Sequence, residues 1–215
     1  ARPVWWTPSD TWDYATVAMP ALYHERLPEA GIDFAVVYPS RGLTLLGMED
    51  EDARVGLSRL YNEFVAEAYR PYRDRLSPVA LVPAHTPAEG VAALEHAVGL
   101  GLRAALMPSF VWRPIPAFAD APPEYRGRLQ RVDNFGLDSE HDYDPLWAKA
   151  VELDVALATH TSGFKLAGHF TPSNYSYAAG HFAAVGEATA KSLFLGGVTT
   201  RFPDLRIALL EGGVA

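Results

Sequence analysis

Residues 79–108 read VALVPAHTPAEGVAALEHAVGLGLRAALMP and place a helical pattern between two short apolar runs. The runs, residues 79–82 and 104–107, each end at a proline. Between them, Thr86 precedes a proline and stands three positions before Glu89, which is a capping box with proline at the first helical position. Short apolar runs with such a helix between them predict a β–α–β unit with parallel strands.

The same alternation continues in both directions along the chain. Apolar runs predict strands at residues 34–38, 79–82, 104–107, 155–159 and 206–210. Between the first two strands, a helix is predicted with an apolar stripe made of Leu57, Leu60, Tyr61, Phe64, Val65 and Ala68. Residues 109–143 lack periodicity and predict a long irregular segment, after which Asp144 is expected to cap a helix. Continuous apolar strands separated by helices favour an α/β fold with a parallel sheet covered on both faces.

Two architectures share this alternation, a doubly wound open sheet and a (β/α) barrel. A doubly wound sheet that binds a dinucleotide has a Gly-rich turn after its first strand, whereas residues 39–42 here read PSRG. A barrel places its active site at the carboxyl ends of its strands, which here carry Tyr38-Pro39, Pro83, Pro108, His160 and Glu211. We therefore predict a partial (β/α)8 TIM barrel, because five strands fall short of the eight that closure requires.

The composition narrows the classes of function. The 215 residues suit one domain, 1–215, and a net charge of −8 without a Lys/Arg cluster argues against a nucleic-acid partner. No apolar run approaches the roughly 20 residues of a membrane helix. The absence of cysteine excludes disulfides and thiolate metal sites and suits the cytosol. We expect a cytoplasmic protein that acts on a small molecule, with homo-oligomerisation left open.

Two residues at strand ends are the main candidates for chemistry. His160 ends the wholly apolar fourth predicted strand, and Glu211 ends the fifth. An imidazole at such a place can bind a divalent metal, and a carboxylate can act as a general base or as a second ligand. Since neighbouring parallel strands run about 4.8 Å apart, we expect both side chains to approach one small ligand.

Loop residues supply further candidates around the same edge. His141 and His181 could bind substrate from the loops, and Arg113 or Arg41 could hold a substrate carboxylate through paired hydrogen bonds. The remaining histidines fall into two groups. His24, His85 and His96 are interpreted as surface residues, and His169 lies in the loop after the fourth strand.

Several motifs in one order resemble the amidohydrolase-related family, which includes the aminocarboxymuconate-semialdehyde decarboxylase type. They are GID at 31–33, DRL at 74–76, DYDPLW at 142–147, THTSG at 159–163, GGV at 196–198, RFPDL at 201–205 and EGGV at 211–214. The resemblance implies a metal-dependent TIM barrel whose five recognised strands are the second to the sixth. It also implies that the chain is a fragment of a longer protein.

The resemblance also implies a site with one divalent metal ion, for which zinc is the expected metal. His160 matches the family's metal ligand on the fifth strand. The His-x-His pair of the family's first strand does not occur in this chain, so we expect the chain alone to bind metal weakly or not at all. Glu211 stands where the decarboxylase members place a histidine, which weakens the transfer of their mechanism.

Three functions follow as hypotheses. The first is a metal-dependent hydrolase of a small carbonyl compound, with Glu211 moving the proton. The second is a metal-dependent non-oxidative decarboxylase of an aromatic or unsaturated acid, with Arg113 or Arg41 on the substrate carboxylate. The third is a non-catalytic fragment or binding domain, and we expect the fragment alone to be inactive.

Overall fold

A computed structural model of the chain describes residues 10–39, 42–122, 125, 129–160 and 183–211. The strands in these ranges are β1 (Ala35–Val37), β2 (Leu76–Pro78), β3 (Ala80–Leu81), β4 (Ala104–Pro108), β5 (Val111–Pro114), β6 (Gln130–Asp133), β7 (Ala156–His160) and β8 (Ile207–Leu209). The α-helices are α1 (Thr11–Ala18), α2 (Pro20–Arg26), α3 (Glu51–Ala68), α4 (Pro87–Gly99), α5 (Asp144–Glu152), α6 (Ala183–Leu195) and α7 (Val198–Arg201). Short 3₁₀ helices occupy Leu27–Ala30, Gly42–Gly47, Arg70–Tyr72 and Pro116–Phe118.

The main sheet is parallel and follows chain order. Its strands lie in the order β3–β4–β7–β8, and β1 pairs in parallel with β2 just before β3. The Val79 N–H donates to the Val37 carbonyl at 3.1 Å, which continues the pairing from β1 toward β3. Every predicted strand position contains a strand, so the prediction of an α/β fold with parallel strands in chain order is confirmed.

The two faces of this sheet pack against different elements. On one face, Leu157 and Met107 lie in a core cluster with Trp147 of α5. On the other face, Leu106 and Ala158 pack with Leu46, which comes from the 3₁₀ helix at Gly42–Gly47. Because successive strand residues alternate between faces, His160 shares the face of Leu106 and Ala158.

The prediction that residues 109–143 are irregular throughout is wrong. Strands β5 and β6 form an antiparallel hairpin, with Trp112 opposite Val132 and Arg113 opposite Arg131. Each of these strands has four residues of mixed polarity, and runs this short show no clear periodicity in the sequence. At its far end, Gly136 approaches the backbone of α6 so closely that an added Cβ would lie 2.4 Å from the Ser192 carbonyl oxygen.

The predicted apolar stripe of α3 is wrong in part. Val65 is buried as expected, but Leu60 and Phe64 are 61% and 68% exposed. The buried face carries polar residues as well, namely Arg54, Ser58 and Asn62. The Asn62 side chain donates to the Leu81 carbonyl at 2.9 Å and accepts from the Leu81 N–H at 2.7 Å. Helix α3 therefore packs by hydrogen bonding a strand edge as well as by apolar contact.

The N-terminal residues of α4 agree with the capping predicted from the sequence, whereas those of α5 do not. The predicted capping box of α4 is present, with Thr86 and Glu89 each bonding the other's backbone. Asp144, expected as an N-cap, is instead the first residue of α5, and Tyr143 is the N-cap. The Asp144 carboxylate binds Arg201 through two 2.7 Å bonds, so a distant helix holds the side chain that capping would have used. Among the described residues, no helix combines the length and apolar character needed to cross a bilayer.

Candidate active site at the strand carboxyl ends

His160 and Glu211 meet at the carboxyl edge of the sheet. The Nε2 atom of His160 lies 3.6 Å from Oε2 of Glu211, across the neighbouring strands β7 and β8. The imidazole side chain is 14% exposed, whereas the carboxylate is 59% exposed. The structure thus brings together the two residues that the sequence placed at neighbouring strand ends. A partly buried imidazole beside an open carboxylate can share or transfer a proton with a small bound molecule.

The backbone of Glu211 is in the left-handed region, with φ at 53°. Residues other than glycine adopt this conformation at a cost of about 1–2 kcal/mol. Leu210 packs with the same cluster as Ala158, so simple alternation would send the next side chain to the opposite face. The left-handed turn lets Glu211 reach His160 instead. Such strain, when retained, is concentrated at functional sites.

The main chain around His160 is held by a buried polar network. The Ser109 N–H donates to the His160 carbonyl at 3.1 Å. The Ser109 carbonyl accepts from the Asn134 amide at 3.1 Å and from the Thr189 hydroxyl at 2.9 Å. Thr189 lies on α6 and is fully buried, and Asn134 follows β6. The hairpin and α6 therefore fix the strand end that carries His160.

Arg113 lies inside the protein beside the hairpin. Its side chain is 8% exposed, and its Nε donates to Asp133 Oδ2 at 3.0 Å. Its Nη2 donates to the Tyr143 hydroxyl at 2.9 Å, and Tyr143 donates in turn to the Ala84 carbonyl at 2.7 Å. Burial raises the pKa of the Tyr143 hydroxyl, so the group stays protonated and continues to donate. Through these contacts Arg113 links the hairpin to the residues that follow β3. Its role in binding substrate stays a prediction.

The other predicted site residues fall into two groups. His141 is partly buried, stacks edge-on with Tyr143 at 6.2 Å between ring centroids, and lies 3.8 Å from Glu140. These contacts of His141 do not involve His160, and its substrate role stays a prediction. His181 and Arg41 lie outside the described residues.

Sequence interpretation assigned His85 to the surface, but this histidine lies at the same edge of the sheet, after β3. His85 follows β3, and its Nδ1 atom is buried without a hydrogen-bond partner among the described residues. Burial, and to a lesser degree the positive charges of Arg54 and Arg113, lower the pKa of the imidazole from 6.5 to about 4, although Glu89 opposes the shift. The ring is therefore neutral near pH 7. The strand-end rule that singled out His160 would also have identified His85, since both follow parallel strands.

The described residues do not by themselves fit a resident metal ion. Imidazole nitrogen and carboxylate oxygen are ligands that divalent metals accept, so His160 and Glu211 have suitable chemistry. A catalytic metal site generally uses three protein ligands. Across residues 10–39, 42–122, 129–160 and 183–211, no group of three or more His, Asp or Glu side chains is placed to hold one. The two residues make at most part of a ligand set.

The family model for amidohydrolases matches residues 3–215, and the chain belongs to this family. The match covers the whole parallel sheet and both residues at its carboxyl edge. It confirms the resemblance that the sequence motifs indicated. No curated protein matches the sequence significantly.

Solved structures share the fold. A 2,6-dihydroxybenzoate decarboxylase from Rhizobium has a TM-score of 0.67 at 18% identity, over 94% of this chain and 59% of that chain. An amidohydrolase from Mycobacterium avium subsp. paratuberculosis K-10 has a TM-score of 0.66 at 19% identity, over 94% of this chain and 50% of that one. A dihydroxybenzoic acid decarboxylase from Polaromonas sp. JS666, with bound manganese and 2-nitroresorcinol, has a TM-score of 0.60 at 21% identity. It is matched over 85% of this chain and 51% of its own. The chain thus spans between half and three fifths of these structures.

Proposed function

We propose that the chain is part of a (β/α)8 barrel enzyme, with β1, β3, β4, β7 and β8 as the second to sixth barrel strands. The parallel order of these strands supports the proposal, and so does the free side of β1. Among the described strands, β1 pairs only with β2, and its flanking and central residues Phe34, Val36 and Tyr38 are 51%, 47% and 38% exposed. Apolar side chains alternating along one strand face are what further barrel strands would cover. The five strands and their helices then form one domain, 1–215.

The enzyme that this chain belongs to acts as a hydrolase of a small carbonyl compound. The observation that carries this proposal is the 3.6 Å approach of His160 and Glu211 at the carboxyl edge. The exposed Glu211 carboxylate accepts a proton from a water molecule whose oxygen bonds to the carbonyl carbon, and the His160 imidazole holds and orients the reacting groups. Glu211 then gives the proton to the leaving oxygen or nitrogen as the bond between that atom and the carbonyl carbon breaks. His160 would be one ligand of a divalent metal ion, expected to be zinc, which would supply polarisation of the substrate carbonyl. Any third ligand would have to come from outside the described residues.

Decarboxylation of an aromatic acid is the second candidate. Solved structures of similar fold include decarboxylases that act on dihydroxybenzoate, and one of them contains manganese. This reaction needs a cation for the substrate carboxylate. Arg113, the described residue proposed for that role, already binds Asp133 and Tyr143, which favours hydrolysis over decarboxylation.

Metal analysis and activity assays on the longer protein that contains this chain test the proposal. His160→Ala should remove the metal and the activity together. Glu211→Gln should keep the metal and slow hydrolysis of a panel of esters, amides and lactones about 10²-fold or more. His24→Ala is the matched control. His24 lies on α2 and binds Asp74, which precedes β2, so it is away from the carboxyl ends of the strands.

The outcomes separate the three hypotheses. Carbon dioxide release from aromatic acids, without hydrolysis, would replace the first function by the second. A protein that contains no metal and catalyses neither reaction would be a binding domain. Unchanged metal content in His160→Ala would show that the site is placed wrongly.

A further inference from the structure

A cleft lies between helices α3 and α4, apart from the site at His160 and Glu211. Its volume is about 290 Å³. The apolar residues of its lining are Val55, Leu81, Pro83, Ala88, Ala92 and Ala93. Neither His160 nor Glu211 lines this cleft. Its size is near the lower end of the range for small-molecule sites, about 300–1,000 Å³.

Two buried polar contacts hold the cleft open. The Arg54 Nε donates to Glu89 Oε1 at 2.6 Å and thereby joins the first turns of α3 and α4. Deeper in the interface, Asn62 bonds both backbone groups of Leu81. Protein interiors are ordinarily packed without spaces of this size. Because the Arg54–Glu89 pair joins the helices at their first turns and Asn62 holds α3 on β3, the small side chains of α4 leave the space between the helices unfilled.

The polar groups of the cleft show which charge it accepts. Its basic side chains, Arg59 and His96, both contact Glu63, at 3.1 Å and 3.2 Å. The Ser58 hydroxyl is buried and has no partner among the described residues. Glu51 lines the cleft, and among the residues that the structure describes none pairs with its carboxylate. A negative group at the opening and an unpaired hydroxyl below it favour a ligand that carries a positively charged donor.

We propose that this cleft is a binding site for a small apolar amine, with the apolar body between α3 and α4 and the ammonium group at Glu51. The size of the cleft suits one aromatic ring with a short side chain. An anion of the same shape would meet the Glu51 carboxylate and bind more weakly. The site does not depend on the strand-end residues, so its failure and that of the proposed hydrolase are distinguishable.

Three probes that share one ring test the charge preference. Benzylamine, benzyl alcohol and benzoate are titrated into the 215-residue chain, with binding followed by amide chemical shifts in NMR spectra. Benzylamine should bind about threefold to fivefold more tightly than benzyl alcohol, the effect of one exposed ion pair, and benzoate should bind least. The shifts should map to the residues around the cleft and should be unchanged in His160→Ala.

Variants locate the site and its charge. Glu51→Gln should abolish the preference for benzylamine over benzyl alcohol. Asp52→Asn, which removes a neighbouring carboxylate that does not line the cleft, should preserve it. Ala92→Trp and Ala88→Trp, which both change exposed residues that line the cleft, should each block all three probes.

Several results would overturn the proposal. They are the absence of binding by benzylamine, tightest binding by benzoate, equal effects of Glu51→Gln and Asp52→Asn, or undiminished binding in both tryptophan variants.

Discussion

The two sides of helix α4 pack in opposite ways. Toward α5, a Cβ added at Gly90 would lie 2.9 Å and 3.0 Å from the two methyl carbons of Leu146, which is fully buried. Toward α3, the same helix borders a cleft of about 290 Å³. One side is closed by apolar contact, whereas on the other the Arg54–Glu89 pair joins α4 to α3 and Asn62 binds α3 to β3. The comparison shows that α4 packs into the core on one side and borders an open cleft on the other.

The largest expected effect comes from the charge pair that spans the open side. Arg54→Ala would leave the Glu89 carboxylate buried without its ion-pair partner and free the Met48 carbonyl, which Arg54 binds at 2.7 Å. Removing one partner of a buried ion pair costs about 3–5 kcal/mol. Chemical denaturation should show a loss of this size in the free energy of unfolding. Arg59→Ala, on the same helix but in an exposed pair with Glu63, should cost about 1 kcal/mol or less. Equal losses would show that the Arg54 pair does not hold the helices together.

The closed side should respond to loss of volume. Leu146→Ala removes a fully buried side chain and should lower the free energy of unfolding by about 2–5 kcal/mol. It also vacates the space that a Cβ at Gly90 would meet. Gly90→Ala should therefore be more favourable in the Leu146→Ala background than in the original protein, as a double-mutant cycle in denaturant measures. Strict additivity of the two changes would contradict close packing here.

The pH dependence of the free energy of unfolding tests the first turn of α4, which borders both the closed side and the open side of the helix. Glu89 accepts from the His85 N–H at 3.1 Å, and burial lowers the pKa of the His85 ring from 6.5 to about 4. Between these pH values the unfolded chain binds more protons, so stability rises with pH and is lost as pH falls from 6.5 toward 4. The loss should be at most about 3 kcal/mol, reduced because part of the ring faces water. Denaturation at several pH values should show it, and His85→Asn should remove this component. An identical pH profile in that variant would exclude His85 as its source.

The smallest effect is expected inside the cleft. Ala92→Leu adds apolar volume where the structure has space, so the free energy of unfolding should change by about 1 kcal/mol or less. Thermal unfolding of this variant beside Leu146→Ala would compare the two sides of α4 directly. A loss as large as that of Leu146→Ala would mean that the cleft closes in solution.

The long range of some contacts explains the errors of sequence interpretation. Leu60 and Phe64 fit an apolar stripe at helical spacing, yet α3 buries Asn62 because the edge of β3 offers a free N–H and carbonyl. Arg113, whose role in binding a substrate carboxylate stays a prediction, binds the carboxylate of Asp133 on the facing hairpin strand. In both cases the partner lies about 20 residues away along the chain, and no local pattern identifies it.

The sequence by itself determined the features that depend on neighbours along the chain. These are the alternation of strands and helices, the capping box at Thr86, and the position of His160 at the end of a buried strand, because periodicity and capping act within a few residues. Only the tertiary structure decided which side chains meet. It placed Glu211 within 3.6 Å of His160 through a left-handed backbone and left a cleft beside α4. Such contacts depend on strand register and helix spacing, which are set by packing across the whole fold.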